Sequence, residues 1–174
     1  TFNVGLDFGI FGGRINGNVD AYYRKTSDLL NNITTPMGNN FSNTVISNVG
    51  NMKNMGVEFN LNFIPIEKQD MRWTINVNGT YQKTEITKLT NDDSTYLGVQ
   101  TGANMGGTGG YTSLHRVGYA PYTYYLYQQA YDENGKAIQN VLVDRDGDGS
   151  ITEADRYVTG KSITPKFFFG LSSQ

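Results

Sequence analysis

Cysteine is absent from this 174-residue chain, which rules out a disulfide framework and thiolate chemistry without fixing a compartment. Histidine occurs once, at position 115, so neither a zinc site nor a nucleophile–base pair can be assembled around it, and it reads as an ordinary loop residue. Charged residues make up only 17% of the chain, the net charge is −2, and Lys and Arg are scattered. No basic stripe exists to neutralise a phosphate backbone, so nucleic acid is excluded as a partner. No run approaches the roughly 18 apolar residues of a membrane-spanning helix. The chain opens directly with TFNVGLDFGIF, and no leader peptide is expected within it. That hydropathy leaves a barrel open, because a bilayer-crossing strand is apolar only at alternate residues and averages out as polar.

What the chain does contain favours strands and tight turns: twelve Tyr, nine Phe, 21 Gly and abundant Asn against four Pro. Phe2, Val4, Leu6, Phe8 and Ile10 fall on one face of the first segment, with Asn3, Gly5, Asp7 and Gly9 on the other. After a Gly12-Gly13 turn, Ile15, Gly17, Val19, Ala21 and Tyr23 oppose Asn16, Asn18, Asp20 and Tyr22, which predicts a tight hairpin. A loop is expected over about residues 26 to 46. Alternation returns at Val57, Phe59, Leu61 and Phe63, and again, after a link from Pro65 to Asp70, at Trp73, Ile75, Val77, Gly79 and Tyr81. Residues 89 to 164 lack sustained alternation and are expected to be one long irregular stretch, with a flexible Gly-rich run at 102 to 110. Phe167, Phe169 and Leu171 open a further strand. The order short, long, short, very long is the rhythm of periplasmic turns and extracellular loops.

A soluble antiparallel sheet alternates too, so the choice rests on strand length and on the polar face. The alternating runs reach about 9 to 11 residues, enough to cross a bilayer when tilted, whereas globular strands average about 5 to 6. The polar face is Asn, Thr, Gln, Asp and Glu with Gly, a hydrated lining, and Trp73 and Tyr81 stand at opposite ends of one strand on the apolar side, as girdle residues do, ordinary sheet packing of aromatics being the alternative. The reading is an all-β, antiparallel transmembrane barrel segment of about five to six strands. Residues 1–88 supply wall strands, 89–164 an extracellular loop region and 165–174 the start of the next strand. Five strands cannot close a barrel in lipid, so the wall is expected to be completed by segments outside this chain.

Three blocks then carry a resemblance. NVGNMKNMGVEFNLNF (48–63) resembles the N-x-G-x-x-x-N-x-G-[VI]-E segment of SusC/RagA-type TonB-dependent transporters of Bacteroidetes outer membranes. NVGLDFGIFGGRINGNVDAYYRKTSDLL resembles the strand-turn-strand before it, and DRDGDGSITEADRYVTGKSITPKFFFG the later acidic segment, in the same order and spacing. The Tyr-dense YAPYTYYLYQ departs from the Phe-Tyr-Gly turn commoner in that family. The resemblance implies a barrel of 22 strands in the outer membrane, an N-terminal plug not contained in this chain, a SusD-like lipoprotein lid, energy from the TonB complex, and import of an oligosaccharide or peptide. A passive porin or structural barrel, and a secreted calcium-stapled β-sandwich, are the rival readings.

Among candidate sites, Asp144, Asp146, Asp148, Gly149, Ser150 and Asp155 fit calcium-loop positions 1, 3, 5, 6, 7 and 12. Alternate oxygen ligands wrap a hard cation and Gly149 permits the bend; Asp in place of Glu at position 12 weakens binding. Ca²⁺ is expected as a loop staple; the alternative is an acidic turn held by Asx bonds. Tyr119, Tyr122, Tyr124, Tyr125, Tyr127 and Tyr131 offer flat rings with hydroxyls for sugars or a lid protein, or for packing loops on one another. Asp7, Asp20, Glu58, Asn60 and Asn78 are predicted to face the lumen, as lining or as plug partners. The pairs Asp92-Asp93 and Asp132-Glu133 read as solvated turns, and no residue set supports covalent catalysis, so the chain is not read as an enzyme.

Overall fold

A computed structural model describes residues 1–34, 44–90, 96–105 and 110–174, apart from the side chains of 32–34 and 44–45. Five strands form one antiparallel sheet in the order β1 (Phe2–Ile10), β2 (Ile15–Thr34), β3 (Thr44–Lys68), β4 (Met71–Lys88) and β11 (Phe167–Ser173). The sheet is open at β1 and β11. Between β4 and β11 the chain builds a separate four-stranded sheet, β10 (Tyr157–Ser162), β7 (Thr123–Leu126), β6 (Tyr111–His115) and β5 (Val99–Asn104), and a hairpin of β8 (Gln129–Tyr131) and β9 (Ala137–Leu142). No described helix is long and apolar enough to cross a membrane, which says nothing of strands.

The β1–β2 turn places Phe11, Gly12 and Gly13 at φ of 55°, 64° and 89°; glycine enters this left-handed region without steric cost. Strand β3 meets β4 through a two-residue turn, Lys68 facing Met71, so the expected link from Pro65 is instead strand. Pro65 sits where the register shifts between Phe63 and Ile66, the bulge position at which a missing N–H costs no ladder bond.

The expected loop from about 26 to 46 is corrected as well. β2 and β3 stay paired out to Thr34 opposite Thr44, and only residues 35–43 lie outside the described segments. The ladder shifts between Thr26 and Leu29, next to Asp28 at φ 60°, and this break in parity hid the continuing strand from the alternation pattern. At about 3.3 Å per residue the 25 residues of β3 far exceed the 9 to 11 that a bilayer needs, so the hairpin projects beyond any membrane.

The stretch from 89 to 164 is likewise more ordered than expected. Its small sheet buries Leu114 and Thr123 fully and Tyr125 nearly so, and Ile86 and Leu89, at the end of β4 and just beyond it, are also nearly buried. Gly118 and Tyr119 fix it to the wall by exchanging backbone bonds with Ile86 (2.9 Å each).

Candidate functional site

Directly opposed residues of antiparallel strands share a face. One row across the wall therefore reads Asp7, Asn18, Asn60, Asn78, Gly170, and the next Gly5, Asp20, Glu58, Thr80, Phe168. Asp7, Asp20, Glu58, Asn60 and Asn78 thus stand together on one polar face. Amides tie it across strands, Asn60 Nδ2 donating to Asn18 Oδ1 (2.9 Å) and Asn62 Nδ2 to Asn76 Oδ1 (2.5 Å), and along β2, where Asn18 Nδ2 donates to Asp20 Oδ2 (2.5 Å). Each amide both donates and accepts, so the ladder keeps capacity for water or a polar ligand. A trough of about 450 Å³ lies over the first of these rows and the neighbouring Asn16, Asn62 and Asn76.

The reverse face reads Leu6, Val19, Phe59, Gly79, Phe169 and Val4, Ala21, Val57, Tyr81, Phe167. Phe59 lies over Gly79, where a Cβ would stand 2.7 Å from Phe59 Cζ. Leu6 is 67% and Phe169 72% exposed, so no second layer of described residues covers these rows, contrary to the sandwich reading. Trp73 and Tyr81 share this face eight residues apart, about 27 Å along the strand. Trp73 Nε1 donates to Ser173 Oγ (2.8 Å), and the Tyr81 ring packs 4.9 Å from that of Phe167.

In the acidic loop, carboxylate oxygens of Asp144, Asp146 and Asp148 gather within 4.8 Å of one another. Each also accepts a loop amide: Asp144 from Gly147 (2.7 Å) and Gly149 (2.8 Å), Asp146 from Asp148 (3.1 Å), Asp148 from Ser150 (2.7 Å). Gly147 and Gly149 adopt φ of 78° and 84°, the bends this winding requires. The Asp148 amide pulls the Asp146 pKa down, but desolvation and the charges of Asp148 and Asp155 outweigh it, and the net shift is upward.

Asp155 lies outside that gathered trio. It is fully buried and accepts from the amides of Thr152 (2.7 Å), Arg145 (2.6 Å) and Asp146 (3.4 Å). The Thr152 and Arg145 amides, opposed by desolvation, hold its pKa below the usual aspartate value. Ser150 enters the loop through its backbone N–H.

The next residue, Arg156, carried no role in the sequence reading, yet it is 5% exposed and holds the loop to the small sheet. Its Nη2 donates to the carbonyls of Tyr111 and Tyr125 (2.7 Å to the latter), and its guanidinium lies 4.0 Å over the Tyr125 ring. An Arg directly after the last acidic position and two Tyr-rich segments were the available signals.

The tyrosines therefore divide. Tyr125 is buried beneath Arg156, packed between the acidic loop and the small sheet; Tyr127 lies 6.0 Å from the same guanidinium. Tyr122, at φ 55°, packs edge-on against His115 at 4.6 Å, and burial lowers the pKa of that lone histidine. Tyr119 lines a cleft, Tyr124 stands opposite Ser113 in β7, and Tyr131 is exposed on β8. Asp132 accepts from Asn134 and Lys136 (2.9 Å each), the turn foreseen, whereas Asp92-Asp93 and residues 106–109 of the Gly-rich run lie outside the described residues.

Comparison with known proteins agrees with this geometry. The family described as "TonB dependent receptor-like, beta-barrel" matches residues 1–166. The chain is 45% identical over 162 residues to TonB-dependent receptor SusC of Bacteroides thetaiotaomicron, covering 92% of this chain and 16% of that protein. It is 33% identical over 115 residues to TonB-dependent receptor P39 of Formosa agariphila, covering 64% of this chain and 11% of that one. The fold matches the RagAB peptide importer in its "open-open" state with a TM-score of 0.70 at 25% identity, covering 98% of this chain and 18% of the importer chain. The chain thus spans less than a fifth of the length of these relatives.

Proposed function

This chain belongs to the TonB-dependent receptor-like β-barrel family, in its SusC/RagA-like branch, and from that premise we propose that it forms wall strands and outer loops of a bacterial outer-membrane nutrient importer. The family is one of transporters, not enzymes. The observation that carries the reading is the five-stranded sheet whose one face is apolar and uncovered by any described residue while the other is an amide ladder. Hydrocarbon meets the first and water the second. The rows through Asp7, Asp20, Glu58, Asn60 and Asn78 then line the path or hold a plug, and the small sheet and its hairpin stand outside the cell.

In this reading a SusD-like surface lipoprotein and the outer loops capture an oligosaccharide or peptide, with Tyr119, Tyr122, Tyr124 and Tyr131 available for contact. TonB, acting through parts beyond this chain, opens the path. Cells expressing the full-length protein are expected to take up labelled oligosaccharide or peptide only with functional TonB; uptake independent of TonB would establish the porin reading instead.

Ca²⁺ belongs to the same proposal as a staple held by Asp144, Asp146 and Asp148, with Ser150 and Asp155 closing the loop. The convergent carboxylates fit a hard cation, while Asp155 serves chiefly to shape the backbone. Calorimetry on the full-length protein is expected to show weak Ca²⁺ binding that Asp146→Ala removes; equal heats from both proteins would contradict it.

A further inference from the structure

On the β11 side of β4, the even-numbered residues carry the ladder: Thr74 exchanges bonds with Gln174 (2.9 Å each), Gln82 N–H donates to Lys166 O (2.8 Å), and Ile86 pairs with Gly118 and Tyr119. Thr84 falls between the last two. Its N–H and C=O point away from β3 by the same alternation, and neither has a hydrogen-bond partner among the described residues. The reason is local. The next rung would need Thr164, but its N–H turns back to Ser162 Oγ (3.1 Å), and Pro165 offers no N–H at all.

A cleft of about 220 Å³ occupies the resulting gap in the wall, bounded by Thr84, Tyr119, Pro165 and the two lysines Lys83 and Lys166. Glu85, also at its edge, is neutralised by Lys53 (2.8 Å), whereas Lys83 and Lys166 form no ion pair among the described residues. An unpaired strand rung is therefore framed by surplus positive charge.

We infer that this cleft binds the C-terminal residue of an extended peptide. That residue supplies what the gap lacks: its N–H donates to Thr84 C=O, its carboxylate accepts from Thr84 N–H, and the same carboxylate meets Lys166 or Lys83. The two covered rungs, about 13 Å apart along β4, limit the pairing to one or two residues. The inference rests on the import reading for its purpose and narrows the substrate class to peptide ends.

The test is calorimetry of trialanine on the full-length transporter, beside trialanine amide, trialanine N-methylated at its last amide, and maltotriose. Trialanine is expected to bind, each modified peptide roughly tenfold more weakly, and Lys166→Gln to weaken trialanine similarly. Failure of trialanine to bind, indifference to these changes, or a maltotriose signal abolished by Lys166→Gln would overturn the assignment. TonB-dependent uptake that persists while trialanine stays silent would sink this site and leave the import reading standing. Trialanine binding without any TonB-dependent uptake would do the reverse.

Discussion

Truncating Arg156 probes how the acidic loop is joined to the small sheet. The side chain is 5% exposed, and its Nη2 serves the carbonyls of Tyr111 in β6 and Tyr125 in β7. Arg156→Ala removes a donor from both carbonyls, and leaving the buried Tyr125 group unsatisfied costs about 1–3 kcal/mol. It also removes the stack at 4.0 Å over Tyr125, which contributes up to about 2 kcal/mol where desolvated. Against this, the native guanidinium is itself costly to bury, since its Nε has no hydrogen-bond partner among the described residues. Its contact with Glu153, 3.9 Å away on a 63% exposed side chain, contributes little. The balance is about 3 kcal/mol, or a factor of roughly 100 in local opening. Hydrogen exchange on the full-length protein should show protection falling by about that factor in 111–126 and 144–157 together, with Arg156→Lys intermediate because it keeps charge and loses the planar fork. A loss below tenfold, or one confined to 144–150, would refute the argument that one side chain joins the two.

Further outcomes follow from the same geometry. Because the Asp155 pKa is lowered on folding, its stabilisation is fully present above the ordinary aspartate value and is lost as pH falls through the folded one. Exchange protection of 144–152 should stay constant from pH 8 to about 5 and drop below about pH 4, a step that Asp155→Asn eliminates; a step near neutrality would point to another group. Gly79→Val should lower barrel stability by about 1–3 kcal/mol because Phe59 must leave its seat, whereas Gly9→Val, with no described atom within 4 Å of its Cβ, should be neutral. Urea unfolding in detergent compares the pair, and equal midpoints would contradict the packing described.

The wall was legible because period-2 alternation survives wherever one face is apolar and the other wet, as in Val57 to Phe63 against Glu58 to Asn62. It faded where that asymmetry ends. Beyond Thr26 the β2–β3 hairpin continues as strand, but a bulge at Asp28 flips the parity and both faces turn mixed. The small sheet was unreadable for a different reason: its strands are four to six residues long, too short for a pattern, and the buried side chains around it come from residues as separated as Ile86, Leu114 and Tyr125. The acidic motif was visible as spacing, since each Asp serves an amide two to five residues away. The part played by Arg156 was not, because its partners lie 31 and 45 residues distant.

The whole account depends on which medium each face of the wall meets. The chain has no cysteine, so a nitroxide can be placed singly in this segment through Val57→Cys, Glu58→Cys, Phe59→Cys, Asn60→Cys, Leu61→Cys and Asn62→Cys of the full-length protein in liposomes, provided its other segments carry none that react. Collision rates should alternate strictly, with dissolved oxygen favoured at 57, 59 and 61 and a water-soluble nickel complex at 58, 60 and 62 unless a plug shields them. Low oxygen accessibility at 57, 59 and 61, or accessibility without a two-residue period, would contradict a lipid-facing wall.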